Sequence, residues 1–272
     1  MAEGEQELQA TVRAVLRPMF RSIWRIRVSG IENIPATGGA ILTPNHTSVI
    51  DSFFLPAAAP RPVSFVGKAE YLDDWKTRKL FPALGMIPID SRGGDASQRA
   101  LDTAVYVLEG GNLFAIYPEG TRSRTGFLHK GHTGAARLSI CTGCPIVPVG
   151  IKGARSIQPP DQTVPNVFRP VEIHFGMPIH PAASDSVSDE RLRLRQITDE
   201  MMFEIRDLTG QDYVNEYAGK TPPSAAQTPQ TTVSPEMPEP RSSADVLKPV
   251  PAQRHPISQG DVTPRGWGAP VA

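Results

Sequence analysis

The central part of the chain alternates between two hydrophobic patterns, and these predict strands and helices in turn. Short apolar runs bounded by turn residues predict strands, and apolar positions at helical spacing predict helices. The predicted strands are Arg25–Val28, Ala40–Thr43, Val63–Val66, Met86–Ile89, Leu113–Tyr117, Ile146–Ile151 and Val171–Phe175, and the clearest helices are Ala96–Leu108, Thr133–Cys141 and about Asp189–Leu208. Strands separated by helices favour an α/β fold, with a mostly parallel sheet covered by helices. Ligands of such sheets bind beyond the carboxyl ends of the strands.

Residues 1–24 form a predicted amphipathic N-terminal helical segment. Apolar residues recur at helical spacing from Leu8 to Trp24, and Pro18 within them predicts a kink or a break. Two interpretations stay open: contact with the headgroups of anionic lipid, or an ordinary helix packed on the domain with solvated arginines. The two interpretations differ in the role of a basic stripe that has a residue at every fourth position: Arg13, Arg17, Arg21 and Arg25.

A change of composition after about Ala218 marks the end of the predicted domain, which we assign to residues 25–218. Residues 219–272 contain eleven of the chain's 28 prolines and few aromatic or β-branched residues. Such a segment cannot bury enough apolar surface to offset its ordering entropy. We therefore predict a disordered Pro-rich tail.

Composition excludes several classes of protein. The formal net charge is zero and the basic residues are not interleaved with stacking aromatics, which argues against nucleic-acid binding. The two cysteines, Cys141 and Cys144, are too few for a disulfide scaffold, and no second pair completes a metal site. No apolar run approaches the roughly 20 residues that span a bilayer, and no secretory signal is visible. We expect a cytoplasmic protein that contacts the inner face of the cell membrane only peripherally, and no metal.

The first candidate for chemistry follows directly after the predicted strand Ala40–Thr43. His46 stands there, and Asp51 follows five residues later. A carboxylate bonded to one imidazole nitrogen fixes the tautomer and leaves the other nitrogen free to take a proton. The pair corresponds to two members of a catalytic triad whose nucleophile the substrate would supply. The spacing alone also fits a structural pair.

A second block, Tyr117 to Ser123, again follows an apolar strand. Glu119 suits a contact with a substrate hydroxyl, Gly120 permits close approach of the backbone to a ligand, and Arg122 can grip a phosphate through its fork. A simple turn built around proline and glycine is the alternative.

Two weaker blocks complete the set. Between Gly85 and Gly94, Arg92 is either a phosphate contact or an ordinary surface charge. In the block Pro145–Gly150, Pro148 predicts that its strand lies at an edge of the sheet or carries a bulge, which could open a groove.

Together the four blocks resemble the glycerolipid acyltransferases of the bacterial lysophosphatidic acid acyltransferase type, that is, 1-acyl-sn-glycerol-3-phosphate acyltransferases. The signature of that family is N-H-x4-D, then G-x-I-x-I-D-R, then E-G-T-R, then V-P-V. In this sequence the four blocks are Asn45-His46 with Asp51, Gly85 to Asp90, Glu119 to Arg122, and Val147 to Val149. The resemblance covers roughly residues 25–210, and one departure is Ser91, which separates Asp90 from Arg92.

The resemblance implies roles for these residues. His46 would deprotonate the acceptor hydroxyl and Asp51 would hold His46. The glycerophosphate would bind to Glu119, Gly120, Thr121 and Arg122, with Gly85, Arg92 and Lys68 at the same pocket, and Pro145, Val147 and Pro148 would help to place the acyl donor. Lys130 and His132 are further candidates for phosphate contacts.

The implied reaction moves a fatty acyl group from acyl-CoA or acyl carrier protein to a lysophospholipid, and 1-acylglycerol-3-phosphate would give phosphatidic acid. No cofactor beyond the acyl thioester is expected. The alternatives are a different lipid or glycerophosphate acceptor, a non-catalytic membrane-binding protein, or a serine lipid hydrolase. No G-x-S-x-G elbow is present, which counts against the hydrolase.

Overall fold

All seven predicted apolar segments form strands, with bounds that differ from the predicted ones by at most two residues. The structure, a computed structural model, describes residues 14, 18–20, 22–73, 77–89, 95–160, 162–181 and 190–219. Its strands are β1 Arg25–Ser29, β2 Ala40–Pro44, β3 Val63–Lys68, β4 Met86–Ile89, β5 Leu113–Ala115, β6 Leu128–His129, β7 Ile146–Lys152, β8 Pro170–Phe175 and β9 Tyr213–Val214.

The helices include the three predicted most clearly and three shorter ones. They are α1 Asp51–Ala58, α2 Thr77–Ala83, α3 Ala96–Glu109, α4 Gly134–Thr142, α5 Ala154–Ile157 and α6 Glu190–Thr209. Among the described residues, none of these helices is both long enough and apolar enough to cross a membrane.

A seven-stranded mixed sheet forms the centre of the fold, in the order β1-β8-β7-β2-β5-β3-β4. The five strands from β7 to β4 are parallel, whereas β8 pairs antiparallel with β7 and parallel with β1. The carboxyl ends of β2, β3, β5 and β7 therefore lie at one edge of the sheet, here called the carboxyl edge. This arrangement confirms the predicted α/β fold with a mostly parallel sheet.

Helices cover both faces of the sheet, and the inner strands β2, β5 and β7 are accordingly buried along nearly their whole length, whereas the residues of β1 and β8 alternate in exposure. Leu42 and Val147 belong to a core cluster shared with α1 and α5. Their neighbours Ile41 and Ile146 belong to the opposite cluster, which α3, α4 and α6 complete. Successive side chains of a strand point to opposite faces, so β2 and β7 each contribute to both cores.

The N-terminal segment is described only in part, and that part packs on the domain. Phe20 and Trp24 are buried, with ring centroids 5.2 Å apart, and both rings meet Phe54 edge-on. This end of the segment therefore packs on the domain, and contact of the basic stripe with lipid stays a prediction. Arg13, Arg17 and Arg21 lie outside the described residues, as does the predicted tail from residue 220.

Pro148 does not place its strand at an edge, contrary to the first alternative above, because β7 lies between β8 and β2. The peptide groups of Pro145 and Val149 point towards β2, so Pro148 points towards β8. There its carbonyl accepts a hydrogen bond from Gly176, just beyond the end of β8. Pairing then resumes one residue out of register, at Ile146 and Ile179. The missing N–H thus coincides with a local irregularity in the partner strand, as the bulge alternative expects.

Candidate active site

A cavity of about 890 Å³ lies at the carboxyl edge, where the chain leaves β2, β3 and β5. The strand β2 leads through α1 to β3 on one side, whereas β5 leads through α4 to β7 on the other. Connections that diverge from neighbouring parallel strands leave a crevice between them, and ligands of α/β sheets bind in such crevices. The His46 and Glu119 blocks follow these two neighbouring strands, as the sequence predicts.

His46 and Asp51 form a hydrogen-bonded pair at this point. The Nδ1 atom of His46 lies 3.1 Å from Oδ2 of Asp51, a carboxylate that is fully buried. The same oxygen accepts hydrogen bonds from the backbone N–H groups of Thr47 and Ser48, both at 2.8 Å. Asp51 begins α1, whereas Thr47 and Ser48 lie in the turn before it, and their hydrogen bonds fix the carboxylate in place. The Nε2 atom of His46 is the nitrogen left available to a ligand in the cavity.

Tyr117 fixes the plane of the His46 ring. The two rings are stacked, with centroids 3.9 Å apart and an interplanar angle of 21°. The Tyr117 hydroxyl lies 3.2 Å from the hydroxyl of Ser52, one residue beyond Asp51. Burial, reinforced by the negative charge of Asp51, raises the pKa of Tyr117 above its ordinary value, so the phenol stays protonated. His46 is thereby held by a carboxylate at its edge and by an aromatic ring against its face.

Glu119 lies behind the site instead of in the cavity. It is almost fully buried, and its two carboxylate oxygens accept hydrogen bonds from the backbone N–H groups of His46 at 3.1 Å and His129 at 3.0 Å. Burial raises the pKa of Glu119 to about 7, against the lowering effect of these two hydrogen bonds, and the charge of Asp51 adds to the rise. Glu119 therefore joins the backbone at His46 to β6, whereas the sequence suggested a contact with substrate.

The cavity combines an apolar wall with several cationic or polar side chains. The apolar part includes Phe65, Phe81, Met86, Leu101 and Ile116. The polar part includes His46, Lys68, Thr121, Arg122, His132 and Arg137. Such a lining suits a molecule that carries both an anionic group and a hydrocarbon portion.

Apart from Asp51, which pairs with His46, the residues expected at the site fall into three groups. Those that line the cavity are His46, Lys68, Gly120, Thr121 and Arg122, and His132 as well. Those placed elsewhere are Gly85, Glu119, Lys130, Pro145, Val147 and Pro148. Arg92 lies outside the described residues.

The residues placed elsewhere have evident structural contacts. Gly85 has a φ of 97°, and a Cβ atom there would lie 2.0 Å from the carbonyl oxygen of Val63, so the turn before β4 requires glycine. Lys130 holds its ammonium 5.7 Å from the ring centroid of Tyr217. Val147 and Pro148 are buried in the sheet interior.

Several cavity residues were not predicted as site residues from the sequence, among them Tyr117, Arg137 and Tyr217. Tyr117 stands in the Glu119 block, but stacking on His46 cannot be inferred from the sequence. Arg137 occupies the first turn of α4 and faces the cavity. Tyr217 reaches the cavity from the far end of the domain and stacks on His132, with ring centroids 4.6 Å apart. No local motif marks the last two, because their position depends on tertiary packing.

In the part of the chain that the structure describes, no three His, Cys, Asp or Glu side chains are grouped so as to hold a metal ion. Cys141 and Cys144 are free thiols, the first exposed and the second partly buried.

Comparison with known proteins gives a consistent result. Residues 25–152 match the family model described as Acyltransferase. An uncharacterized protein of Mycobacterium leprae is 30% identical over 188 residues, which cover 63% of this chain and 47% of that protein. The 1-acyl-sn-glycerol-3-phosphate acyltransferase of Borreliella burgdorferi is 28% identical over 132 residues, or 47% of this chain and 53% of that protein. The chain spans about half the length of the curated relatives it matches.

The fold has a counterpart among solved structures. The crystal structure of the 1-acyl-sn-glycerophosphate acyltransferase from Thermotoga maritima matches with a TM-score of 0.54 and 21% identity, over 76% of this chain and 84% of that one. The segment matched by the family model contains both His46 and the whole Glu119 block. Over residues 25–152 the chain is similar to the family described as Acyltransferase, and over part of its length to proteins named 1-acyl-sn-glycerol-3-phosphate acyltransferases.

Proposed function

We propose that the protein transfers a fatty acyl group from a thioester, acyl-CoA or acyl carrier protein, to the hydroxyl of 1-acylglycerol-3-phosphate and so forms phosphatidic acid. The observation that carries this proposal is the His46–Asp51 pair at the wall of a cavity that also presents Lys68 and Arg122. A base, cationic groups for a phosphate and an apolar wall are the three requirements of this reaction. We place the reaction at the inner face of the cell membrane, where its lipid acceptor resides.

The proposed chemistry is direct transfer. Nε2 of His46 takes the proton of the acceptor hydroxyl while the hydroxyl oxygen attacks the thioester carbonyl. Asp51 keeps the proton of His46 on Nδ1 and stabilises the imidazolium that forms. Collapse of the tetrahedral intermediate breaks the carbon–sulfur bond, and His46 returns its proton to the departing thiolate. The ester and the free thiol are the products, and no acyl-enzyme forms.

Recognition of the acceptor would rest on the cationic side chains of the cavity. Arg122 presents a planar fork that matches two phosphate oxygens, and Lys68 adds a second positive charge. Neither side chain forms an ion pair with any described residue, so both are available to a ligand. The neighbouring Thr121 hydroxyl can donate a further hydrogen bond.

A serine hydrolase mechanism receives no support from the geometry. Ser48 is the serine nearest to His46 in the sequence, but its hydroxyl is buried and donates a hydrogen bond to the carbonyl of Gln158 at 2.8 Å. Because the Ser48 hydroxyl is engaged in this hydrogen bond, it is not placed to act as a nucleophile. The acceptor alcohol is therefore the nucleophile in the proposed reaction.

The test is release of CoA thiol from an acyl-CoA, with 1-acylglycerol-3-phosphate in detergent micelles as acceptor. Loss of the base in His46→Ala should lower kcat by about a hundredfold or more. His180→Ala is the matched control, because His180 is exposed and is not among the residues that line the cavity. It should keep the activity of the wild type, and extracted lipid should contain phosphatidic acid.

Two results would contradict the proposal. Activity that survives His46→Ala would exclude the mechanism. A wild-type protein that stays inactive with acyl-CoA and acyl carrier protein donors, across a panel of lysophospholipids, would favour a non-catalytic lipid-binding role.

A further inference from the structure

The loop that leads into β8 exposes a group of apolar side chains. Within residues 162–169, here called the docking loop, Val164 is 70% exposed, Val167 52% and Phe168 71%. Single exposed apolar residues are ordinary, but a contiguous group on one surface loop usually marks an interaction site. Met19, on the adjoining N-terminal segment, is also exposed.

Phe168 is held outward at a cost in backbone strain. Its φ is 60°, the left-handed region that residues other than glycine rarely adopt, and among the described residues no other non-glycine has a positive φ. Two hydrogen bonds fix this conformation, from Phe168 N to the carbonyl of Ile23 and from Trp24 Nε1 to the carbonyl of Asn166. Such strain persists only where the surrounding structure determines it, and it is concentrated at functional positions.

The docking loop lies at the same edge of the sheet as His46. Because β8 is antiparallel to β7, the start of β8 is level with the end of β7, as the pairing of Glu172 with Lys152 shows. The strand β1 begins at the same level, since Arg25 pairs with Pro170. The docking loop and the N-terminal segment therefore approach the sheet from the carboxyl edge, where the cavity opens.

Two exposed arginines flank the docking loop. Arg169 ends the loop and Arg25 lies beside Pro170 in the next strand, and both side chains are exposed. Neither forms an ion pair with any residue that the structure describes. Exposed apolar side chains beside unpaired arginines are complementary to the boundary of an anionic bilayer, where hydrocarbon meets phosphate.

We propose that the docking loop is a membrane-contact surface: Val164, Val167 and Phe168 insert at the acyl–headgroup boundary, and Arg25 and Arg169 bind lipid phosphates. The partner is a bilayer that contains anionic lipid. Contact here would place the carboxyl edge next to the membrane, so that a lipid acceptor reaches the cavity without crossing bulk water. This second contact is separate from the basic stripe predicted for residues 1–24.

The test is co-sedimentation of the full-length protein with vesicles of phosphatidylcholine and phosphatidylglycerol, without any substrate. The decisive variant is Phe168→Asn, since asparagine tolerates the left-handed conformation and removes the apolar ring. Its thermal stability should equal or exceed that of the wild type, while binding to the vesicles falls about tenfold. Arg169→Gln should weaken binding about fivefold, and less so as salt is added.

Met177→Asn is the matched control, because Met177 is 67% exposed but lies near the start of β7, towards the opposite edge of the sheet. It should bind vesicles like the wild type. Binding by Phe168→Asn equal to that of the wild type would overturn the proposal. So would a dimer in solution that Phe168→Asn dissociates, because a second copy would then be the partner. Vesicle binding involves no turnover, so its outcome is independent of the proposed acyl transfer.

Discussion

At the scale of single residues, Asp51 combines its contact with His46 and a local structural contact in one oxygen atom. Oδ2 accepts hydrogen bonds from His46, Thr47 and Ser48, whereas Oδ1 is buried and has no hydrogen-bond partner among the described residues. An asparagine oxygen can replace Oδ2 in all three bonds. The substitution Asp51→Asn therefore removes the negative charge while it keeps the geometry.

We expect Asp51→Asn to fold and to lose about a hundredfold in kcat, because the imidazolium at His46 is no longer stabilised. Thermal unfolding should show only a small loss of stability, and the steady-state rate of CoA release should show the large one. A rate within twofold of the wild type would mean that the carboxylate only positions the ring.

Glu119 illustrates a residue whose importance the sequence indicates but whose role it does not. The Glu119 block suggests a ligand contact, yet both carboxylate oxygens are occupied by backbone N–H groups of His46 and His129. These partners are 73 and 10 residues away in the sequence, so no local pattern can reveal them. Only the folded chain shows that Glu119 positions His46 through a hydrogen bond from the His46 backbone N–H.

The raised pKa of Glu119 makes the stability of the protein depend on pH. The pKa of the Glu119 carboxyl has its ordinary value of 4.5 when the chain is unfolded and is raised to about 7 when it is folded, chiefly because burial disfavours the charged form. The folded state then binds more protons than the unfolded state between these values. The contribution of Glu119 is therefore complete below pH 4.5 and is lost as pH rises through 7, with a slope of up to about 1.4 kcal/mol per pH unit.

Chemical denaturation at pH 5, 6 and 7 checks this prediction when the wild type is compared with Glu119→Gln. The variant has no titrating group at this position. The unfolding free energy of the wild type minus that of the variant should therefore decrease as the pH rises from 5 to 7. Glu204→Gln, at an exposed carboxylate of α6, is the control and should leave the pH dependence unchanged. Parallel curves for the wild type and Glu119→Gln would contradict the assignment.

At the scale of elements, the hydrophobic pattern of the sequence was sufficient to predict strands and helices wherever their burial is continuous or periodic. The inner strands β2, β5 and β7 are mostly apolar because both of their faces are covered, whereas β1, β8 and the long helices show one apolar side. The small sheet of β6 and β9 was not predictable, since each strand has two residues and they pair across most of the domain. Pro148 shows a second limit of prediction from sequence. The rule that proline is confined to edge strands or bulges considers one strand alone, whereas the position of Pro148 depends on where the neighbouring strand β8 ends.

Gly85 and Gly143 illustrate two different reasons why a turn requires glycine. Both have a positive φ, but a Cβ atom at Gly85 would meet the Val63 carbonyl oxygen at 2.0 Å, whereas nothing lies within 4 Å at Gly143. Alanine at Gly143 should cost about 1 kcal/mol from backbone strain alone. Alanine at Gly85 adds a steric clash between β3 and β4 and should cost about 3 kcal/mol or more.

Urea denaturation of the two alanine variants measures these costs directly. Gly85 does not line the cavity, so Gly85→Ala should act on stability and leave the KM of the remaining folded protein nearly unchanged. A raised KM with unchanged stability would instead support the pocket-shaping role that the family resemblance implies.

At the scale of the whole molecule, the site is assembled from segments far apart in the sequence. His46 follows β2, Lys68 ends β3, and both Arg122 and Arg137 belong to the connection from β5 to β7. The parallel sheet brings these together at the carboxyl edge. The sequence predicts this meeting point for the residues that directly follow strands, because carboxyl ends of neighbouring parallel strands meet at one edge. It cannot predict Tyr217, whose approach depends on how α6 returns over the sheet.

Two truncations of the chain test the contribution of the segment after α6. Residues 211–217 supply hydrogen bonds to Asn45, Gly126, Leu128 and Lys130, and Tyr217 stacks on His132 at the cavity. Ending the chain after Gly210 removes four of these hydrogen bonds and should cost about 4 kcal/mol, with at least about a tenfold loss of turnover. Ending it after Ser224 keeps every one of these contacts, so thermal stability and CoA release should match the full chain. Equal damage from both truncations would show that residues beyond 224 contribute to the domain or to its site.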